Sequence, residues 1–412
     1  LAQTNKTNVS HMSVPLDRLY HYLDDQIDRD MVIYRWLPHG SRKLEHCSPL
    51  ETYGVNQHTM PIVVFHDQEP LNLGDLSQRI DSVKQQRGLK PSPTDWHMLC
   101  YLPLNVHSKY ILVHSELASD QVEAFSQRHA VPVYYWCHAV IARDWFRYAE
   151  HDPVLGDFCP RYDFLIYQRS WSGSREYRLK FTELLIDAGI QNHCLARFCC
   201  EDPDHYREHR FANSQLSIAR QDLENHLLPN THHSSASADY CNSDYAQCSI
   251  EVVLETLCDD TRLHLTEKTL RPIACGRPFL LAASPGSLQY LQRYGFRTFG
   301  DIIDESYDQE PNVLRRLNMI VQEMQRILND PQRHTLYRAL LERARYNQQW
   351  FFSAEFHNLI MAEYQHNITA ALEVVQQSAD CRFVEEYYAY STNLREQFAP
   401  IYQLCMSSRN GC

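Results

Sequence analysis

Short apolar runs recur along the chain with helically spaced stretches between them, and this alternation constrains the fold more than any other feature. Pro61-Ile62-Val63-Val64-Phe65 reads as a buried strand, as do residues 109–113 and 131–136. Between the last two, 117–129 has helical spacing, with Val122 and Phe125 on its apolar face. A second series follows, with strands predicted at 163–167, 193–198, 248–254 and 278–282 and helices at 178–188, 267–275 and 287–294. Gly189 and Gly295 stand just past two of these helices, where a left-handed residue commonly ends the turn. Strands alternating with helices imply parallel βαβ units, so the fold class is α/β.

The chain has 412 residues, more than one hydrophobic core usually serves, so two lobes are expected. A composition break over 151–160 divides them. The predicted plan is a polar tail outside the fold at 1–13, a first α/β lobe at 14–155 and a second at 156–310. A helical tail at 311–412 would complete the second lobe. In it Val313, Leu317, Ile320, Val321, Met324 and Ile327 share one helix face, Asp330-Pro331 breaks that helix, and another runs over 336–350. Helical spacing continues to about 377, and whether the tail returns to the first lobe stays open. Residues 229–245, rich in Ser, His, Asn and Asp, read as a loop.

Composition narrows the function classes. A net charge of −12 argues against a nucleic-acid partner, which normally meets a basic surface. No apolar run reaches the length of a membrane span. The 14 cysteines are scattered, include adjacent Cys199-Cys200 and have no CxxC spacing, which reads as free thiols of an intracellular, cytoplasmic protein.

The densest chemistry lies between Ser249 and Phe299. A strand ends near Glu255-Thr256, a loop crosses Asp259-Asp260, and a helix opens at Thr266-Glu267. Thr266 suits an N-cap, and a helix start offers aligned amides and the positive dipole end to an anion. Lys268 adds a cation for a diphosphate, and Glu267 can accept two hydrogen bonds from a ribose diol. Upstream, Tyr167-Gln168-Arg169-Ser170 leads into a Ser/Gly loop with Arg175 and Arg178, whose guanidinium groups suit phosphate. Asp67 and Glu69 follow a buried strand, where α/β domains place ligands. Either can serve as a general base. After another strand, Trp136 and His138 are candidates for lining the same cleft, on the acceptor side if a group is transferred there. Asp259-Asp260 reads as surface loop, and no metal is expected.

The order of these pieces resembles the donor site of GT-B glycosyltransferases, which have two Rossmann-like lobes. It is most similar to the α1,3-fucosyltransferase family, with a looser likeness to the exostosin group. The resemblance rests on Leu265-Thr266-Glu267-Lys268, the strand ending at Glu255, the Ala-x-Gly-x-Pro before the next strand, and the Arg175 loop. It implies that Glu267 and Lys268 hold the ribose and diphosphate of a nucleotide-sugar, that Arg175 reaches the diphosphate, and that Glu69 or Asp67 is the base. The implied activity is an inverting transfer of a sugar, fucose from GDP-fucose being one donor, to a glycan hydroxyl without a cofactor. A capsule or lipopolysaccharide transferase with another donor stays open, as does a non-catalytic nucleotide- or glycan-binding protein.

Overall fold

The computed structural model describes 31–35, 49–52, 62–66, Leu73, Ser77 and 109–377, apart from 130–132, 157, 172, 200–215, 219–222, 234–238 and 259–261. Asp67, Glu69, Asp259, Asp260 and the 378–412 segment lie outside the described residues.

Two five-stranded sheets organise the chain. The first contains β1 (Met31–Arg35), β2 (Pro49–Thr52), β3 (Ile62–His66), β4 (Lys109–His114) and β5 (Val133–Tyr135) in the order β2-β1-β3-β4-β5. Four of its strands are parallel, and β2 runs antiparallel on the edge beside β1. Helix α1 (Asp120–His129) connects β4 to β5 and buries Val122 and Phe125, the face its spacing predicts. After β5 comes α2 (Ala139–Trp145), buried along most of its length. The composition break over 151–160 is partly ordered. It contains a short helix, α3 (Pro153–Gly156), whose Leu155 is buried. The Leu155 carbonyl accepts from Arg277 at 2.6 Å, which docks the segment onto the second sheet's layer.

The second sheet holds β6 (Tyr162–Gln168), β7 (Cys194–Phe198), β8 (Thr231–His233), β9 (Cys248–Leu254) and β10 (Phe279–Ala282), all parallel. Its order, β10-β9-β6-β7-β8, starts in the middle, moves outward to one edge, then returns to the other side of β6. Every β9 residue is buried, as expected of a strand covered on both faces. The one acid in it, Glu251, is matched by Arg271, which donates to it at 2.5 Å and stacks 4.0 Å above the Tyr167 ring. Helix α4 (Tyr177–Asp187) follows β6, and Gly189 ends it with φ of 72°, the left-handed conformation glycine adopts without a Cβ clash. The predicted loop over 229–245 is partly ordered: it supplies β8 and α5 (Asn242–Gln247). An edge strand of three residues is held by backbone bonds to β7, which composition does not reveal.

Helix α6 (Glu267–Ala274) follows β9, and α7 (Ser287–Arg293) follows β10. The helical tail is α8 (Val313–Asn329), α9 (Arg333–Phe352) and α10 (Ala354–Gln377). Helix α8 packs on α4 and β10, while α10 crosses back to β4, β5 and α2 of the first lobe. There Asn367 donates to the Tyr135 carbonyl at 2.8 Å. Arg143 of α2 donates to the carbonyls of Phe351, Phe352 and Ser353, placing a cation at the C-terminal end of α9. None of the described cysteines is in a disulfide. Among the described residues, no helix is long and apolar enough to cross a membrane.

Candidate functional site

The strand order of the second sheet locates a crevice. Connections leave β6 toward one edge and β9 toward the other, so the loops after these neighbouring strands diverge. In open parallel sheets ligands sit outside the carboxyl ends of such a strand pair. The loop after β6 carries the turn Gly173–Arg175, with Arg175 buried, and the loop after β9 leads from Glu255 to Thr266. The two loops are tied together. Arg178 donates to the carbonyls of Ser170, Leu254 and Glu255, and the Tyr177 hydroxyl donates to the Glu255 carbonyl at 2.5 Å. Arg178, a phosphate candidate in the sequence, has Nη1 and Nη2 both bonded to backbone carbonyls and is 1 % exposed, so it joins the two loops.

Thr266 is the N-cap of α6, as its sequence position predicts, and its hydroxyl accepts from the Lys268 amide. The anion site expected from that helix start is already filled from within. The Glu255 side chain, fully buried, accepts from the Thr266 and Thr269 amides at 2.9 and 3.2 Å. It also accepts from both threonine hydroxyls, at 2.8 and 2.6 Å, and from the Thr256 amide at 3.0 Å. A carboxylate at a helix N-terminus compensates the dipole and the orphan amides together. Glu255 therefore shapes the wall of the crevice, and an external phosphate there must rely on side chains.

The sequence candidates Glu267 and Lys268 are the first two residues of α6. The Lys268 ammonium donates to Glu267 at 2.7 Å and to the Thr266 hydroxyl at 3.2 Å. Burial works against a charged Glu267, but Lys268 and His138 outweigh it and hold the carboxyl well below the usual range. The pair is a preformed ionic couple whose cation keeps 17 % of its side-chain surface open.

The first lobe meets this wall along a seam. Leu117 and Leu263 exchange two backbone hydrogen bonds of 2.9 Å, an antiparallel bridge between the lobes. Beside it the Glu116–Arg262 ion pair, 3.2 Å apart, is buried on both sides. Helix α2 packs on α6. His138, just before α2, stacks on Trp136 at 5.4 Å and meets the Trp145 ring edge-on at 5.8 Å. The His264 ring stands perpendicular to His138, 6.1 Å away. Trp136 and His138 are thus core-packed at the seam, Trp136 fully buried. Burial pushes His264 down to about 3, with His138 adding in the same direction, and burial pushes His114 down to about 3 as well. His114 Nδ1 accepts from the Glu116 amide at 3.1 Å, which fits a neutral ring.

Sequence reading missed His264, His114, Glu116 and Arg262. Two signals were available: His264 directly precedes Leu265, and residues 114–116 follow strand β4, the usual place for ligands in an α/β lobe. Among the described residues no group of three or more His, Cys, Asp or Glu side chains is placed to hold a metal ion.

No family model matches the sequence, and no curated protein matches it. In outline the chain is similar to an α,α-trehalose 6-phosphate synthase from Burkholderia multivorans, at 14 % identity and a TM-score of 0.31. That likeness covers 78 % of this chain and 73 % of the other. It is also similar to an α,α-trehalose-phosphate synthase (UDP-forming) from Burkholderia vietnamiensis, at 12 % identity and a TM-score of 0.34, over 76 % of this chain and 67 % of the other. Superpositions this loose do not bear on activity.

Proposed function

We propose that the chain is a glycosyltransferase of the GT-B type, moving a sugar with inversion from a nucleoside-diphosphate sugar to a glycan hydroxyl. The observation that carries this reading is the ionic couple Glu267–Lys268 at the start of α6, after β9, with His138 of the first lobe close enough to act on Glu267 electrostatically. In it the Lys268 ammonium pairs with the diphosphate and Glu267 accepts from the ribose hydroxyls. Arg175, on the other loop of the same crevice, shares the diphosphate charge. Preset cations of this kind stabilise the charge that develops on the departing diphosphate. Glu255 and Arg178 act as positioning residues, since the first shapes the start of α6 and the second joins both loops. The base is Glu69 or Asp67; β3 ends at His66 in register with Val113, at the carboxyl end of the sheet from which β4 leads on to Ser115 and Glu116. Fucose carried on GDP is the first donor to test, on the strength of the motif likeness.

The test is thermal stabilisation by GDP, UDP, GDP-fucose and UDP-glucose. A ligand present at a hundredfold its dissociation constant adds about 2.7 kcal/mol to stability, a readily measured shift. If all four leave the melting temperature unchanged at millimolar concentration, the donor-site reading is wrong.

A further inference from the structure

One atom at the seam has a chemistry the reading above does not use. His264 is 1 % exposed, and its Nδ1 lies 3.3 Å from the Ser115 carbonyl and 3.3 Å from the Ser115 hydroxyl. A carbonyl oxygen only accepts, so Nδ1 carries the proton and Nε2 carries a lone pair. Nε2 is buried and, among the described residues, meets no hydrogen-bond donor. Buried acceptors of this kind are nearly always satisfied, so an unpartnered one calls for a donor that a ligand in the crevice would bring. The ring sits two residues before Thr266 in sequence, within electrostatic reach of Lys268, and edge-on to His138, which stacks on Trp136. A neutral lone pair beside an aromatic stack and a phosphate-seeking ammonium suits one ligand chemistry, a sugar hydroxyl joined to a diphosphate. An incoming cation would meet Lys268 as a competitor, and an anion would be repelled by the lone pair.

We infer that His264 is a specificity-determining residue whose Nε2 accepts a hydrogen bond from a hydroxyl of the transferred sugar, with Ser115 of the opposite lobe setting the tautomer. This rests on the donor-site reading given above. It assigns Ser115 and His264 a joint task, because the first lobe's carbonyl fixes the tautomer of the second lobe's ring across the seam.

Two substitutions separate a substrate role from a structural one. Asn at 264 can place an amide N–H near the Nδ1 position and keep the Ser115 bond, but it has nothing at the Nε2 position. Gln reaches the Nε2 position with its carbonyl oxygen and gives up the Ser115 bond. The readout is the affinity of GDP-fucose relative to GDP, and of UDP-glucose relative to UDP, by calorimetry on the full chain. The sugar nucleotide that binds the wild type tighter than its diphosphate should lose about tenfold in His264→Asn, one hydrogen bond's worth, with the diphosphate affinity unchanged. His264→Gln should restore part of that difference. Unchanged diphosphate affinity also shows that both variants fold. If His264→Asn keeps the whole sugar increment, or Asn preserves it while Gln does not, the inference is overturned with the donor site intact. If neither GDP nor UDP binds the wild type, the donor-site reading and this inference fall together.

Discussion

Glu255 holds Thr266 by two hydrogen bonds, one carboxylate oxygen accepting from its backbone amide at 2.9 Å and the other from its hydroxyl at 2.8 Å. The bond set extends to Thr269 one turn on, so a single buried side chain organises the start of α6. Replacing it with alanine would leave two helix amides without their acceptor in a dry site. Glu255→Ala should cost about 3 kcal/mol or more, which is a fall of roughly 6–12 °C in melting temperature for a domain of this size. Calorimetric unfolding checks it. A variant that kept its stability and lost only nucleotide affinity would return Glu255 to direct donor contact.

Lys268 is the crevice cation that keeps 17 % of its side chain exposed. Lys268→Ala should weaken diphosphate binding by about tenfold to a hundredfold, the range of a charge-assisted hydrogen bond. The same change removes the counter-charge of buried Glu267. Because that carboxyl is held below its ordinary value, it contributes stability above the unfolded value of 4.5, and this is lost as pH falls. In Lys268→Ala burial acts on that carboxyl without the ammonium to oppose it, so the contribution should shrink and stability should fall less as pH drops below 4.5; Lys268→Ala combined with Glu267→Gln should abolish what remains. Urea midpoints between pH 2 and 6 give the answer.

Two other acids behave in the opposite sense. Burial raises Asp308 to about 7 and Glu363 to about 7. A raised folded-state value means the protonated form is favoured by folding, so its stability contribution is full below the unfolded value and is lost as pH rises toward 7. Asp308→Asn keeps an acceptor for the Leu288 amide, and Glu363→Gln keeps one for the Tyr294 hydroxyl. Each should flatten the decline in urea midpoint between pH 5 and 8. An unaltered slope in the double variant would show that these carboxyls do not titrate there.

The Glu116–Arg262 pair crosses the seam with side chains 0 % and 2 % exposed. Removing one member strands a buried charge, so Arg262→Met should cost about 3–5 kcal/mol. Adding Glu116→Leu should recover most of that, because the desolvation cost of both charges disappears with them. A double-mutant cycle in guanidinium measures the coupling, and additive effects would mean the charges do not sense each other.

The periodic elements were legible because their cause is local. The full burial of β9, the amphipathic faces of α1 and α8, and the left-handed glycines after α4 and α7 each follow from a few consecutive residues. The Thr266 cap is of the same kind. Less legible were β8 and α5, whose polar text resembles a loop and whose order comes from neighbours. The role of Arg178 was also hidden, since a guanidinium on a helix reads alike whether it faces phosphate or three backbone carbonyls.

By itself the sequence determined that this chain alternates strands and helices, and that a capped helix with Glu267 and Lys268 opens after the strand that leads into Glu255. Those are matters of periodicity and residue chemistry, which act over a turn or a strand. Only the tertiary structure decided that Glu255 faces inward onto that helix start, that α10 returns to the first lobe, and that Ser115 meets His264 across 149 positions of chain. Each depends on which strand lies beside which and on how the two sheets face one another. That arrangement is settled by burial summed over the whole molecule, and no short segment encodes it.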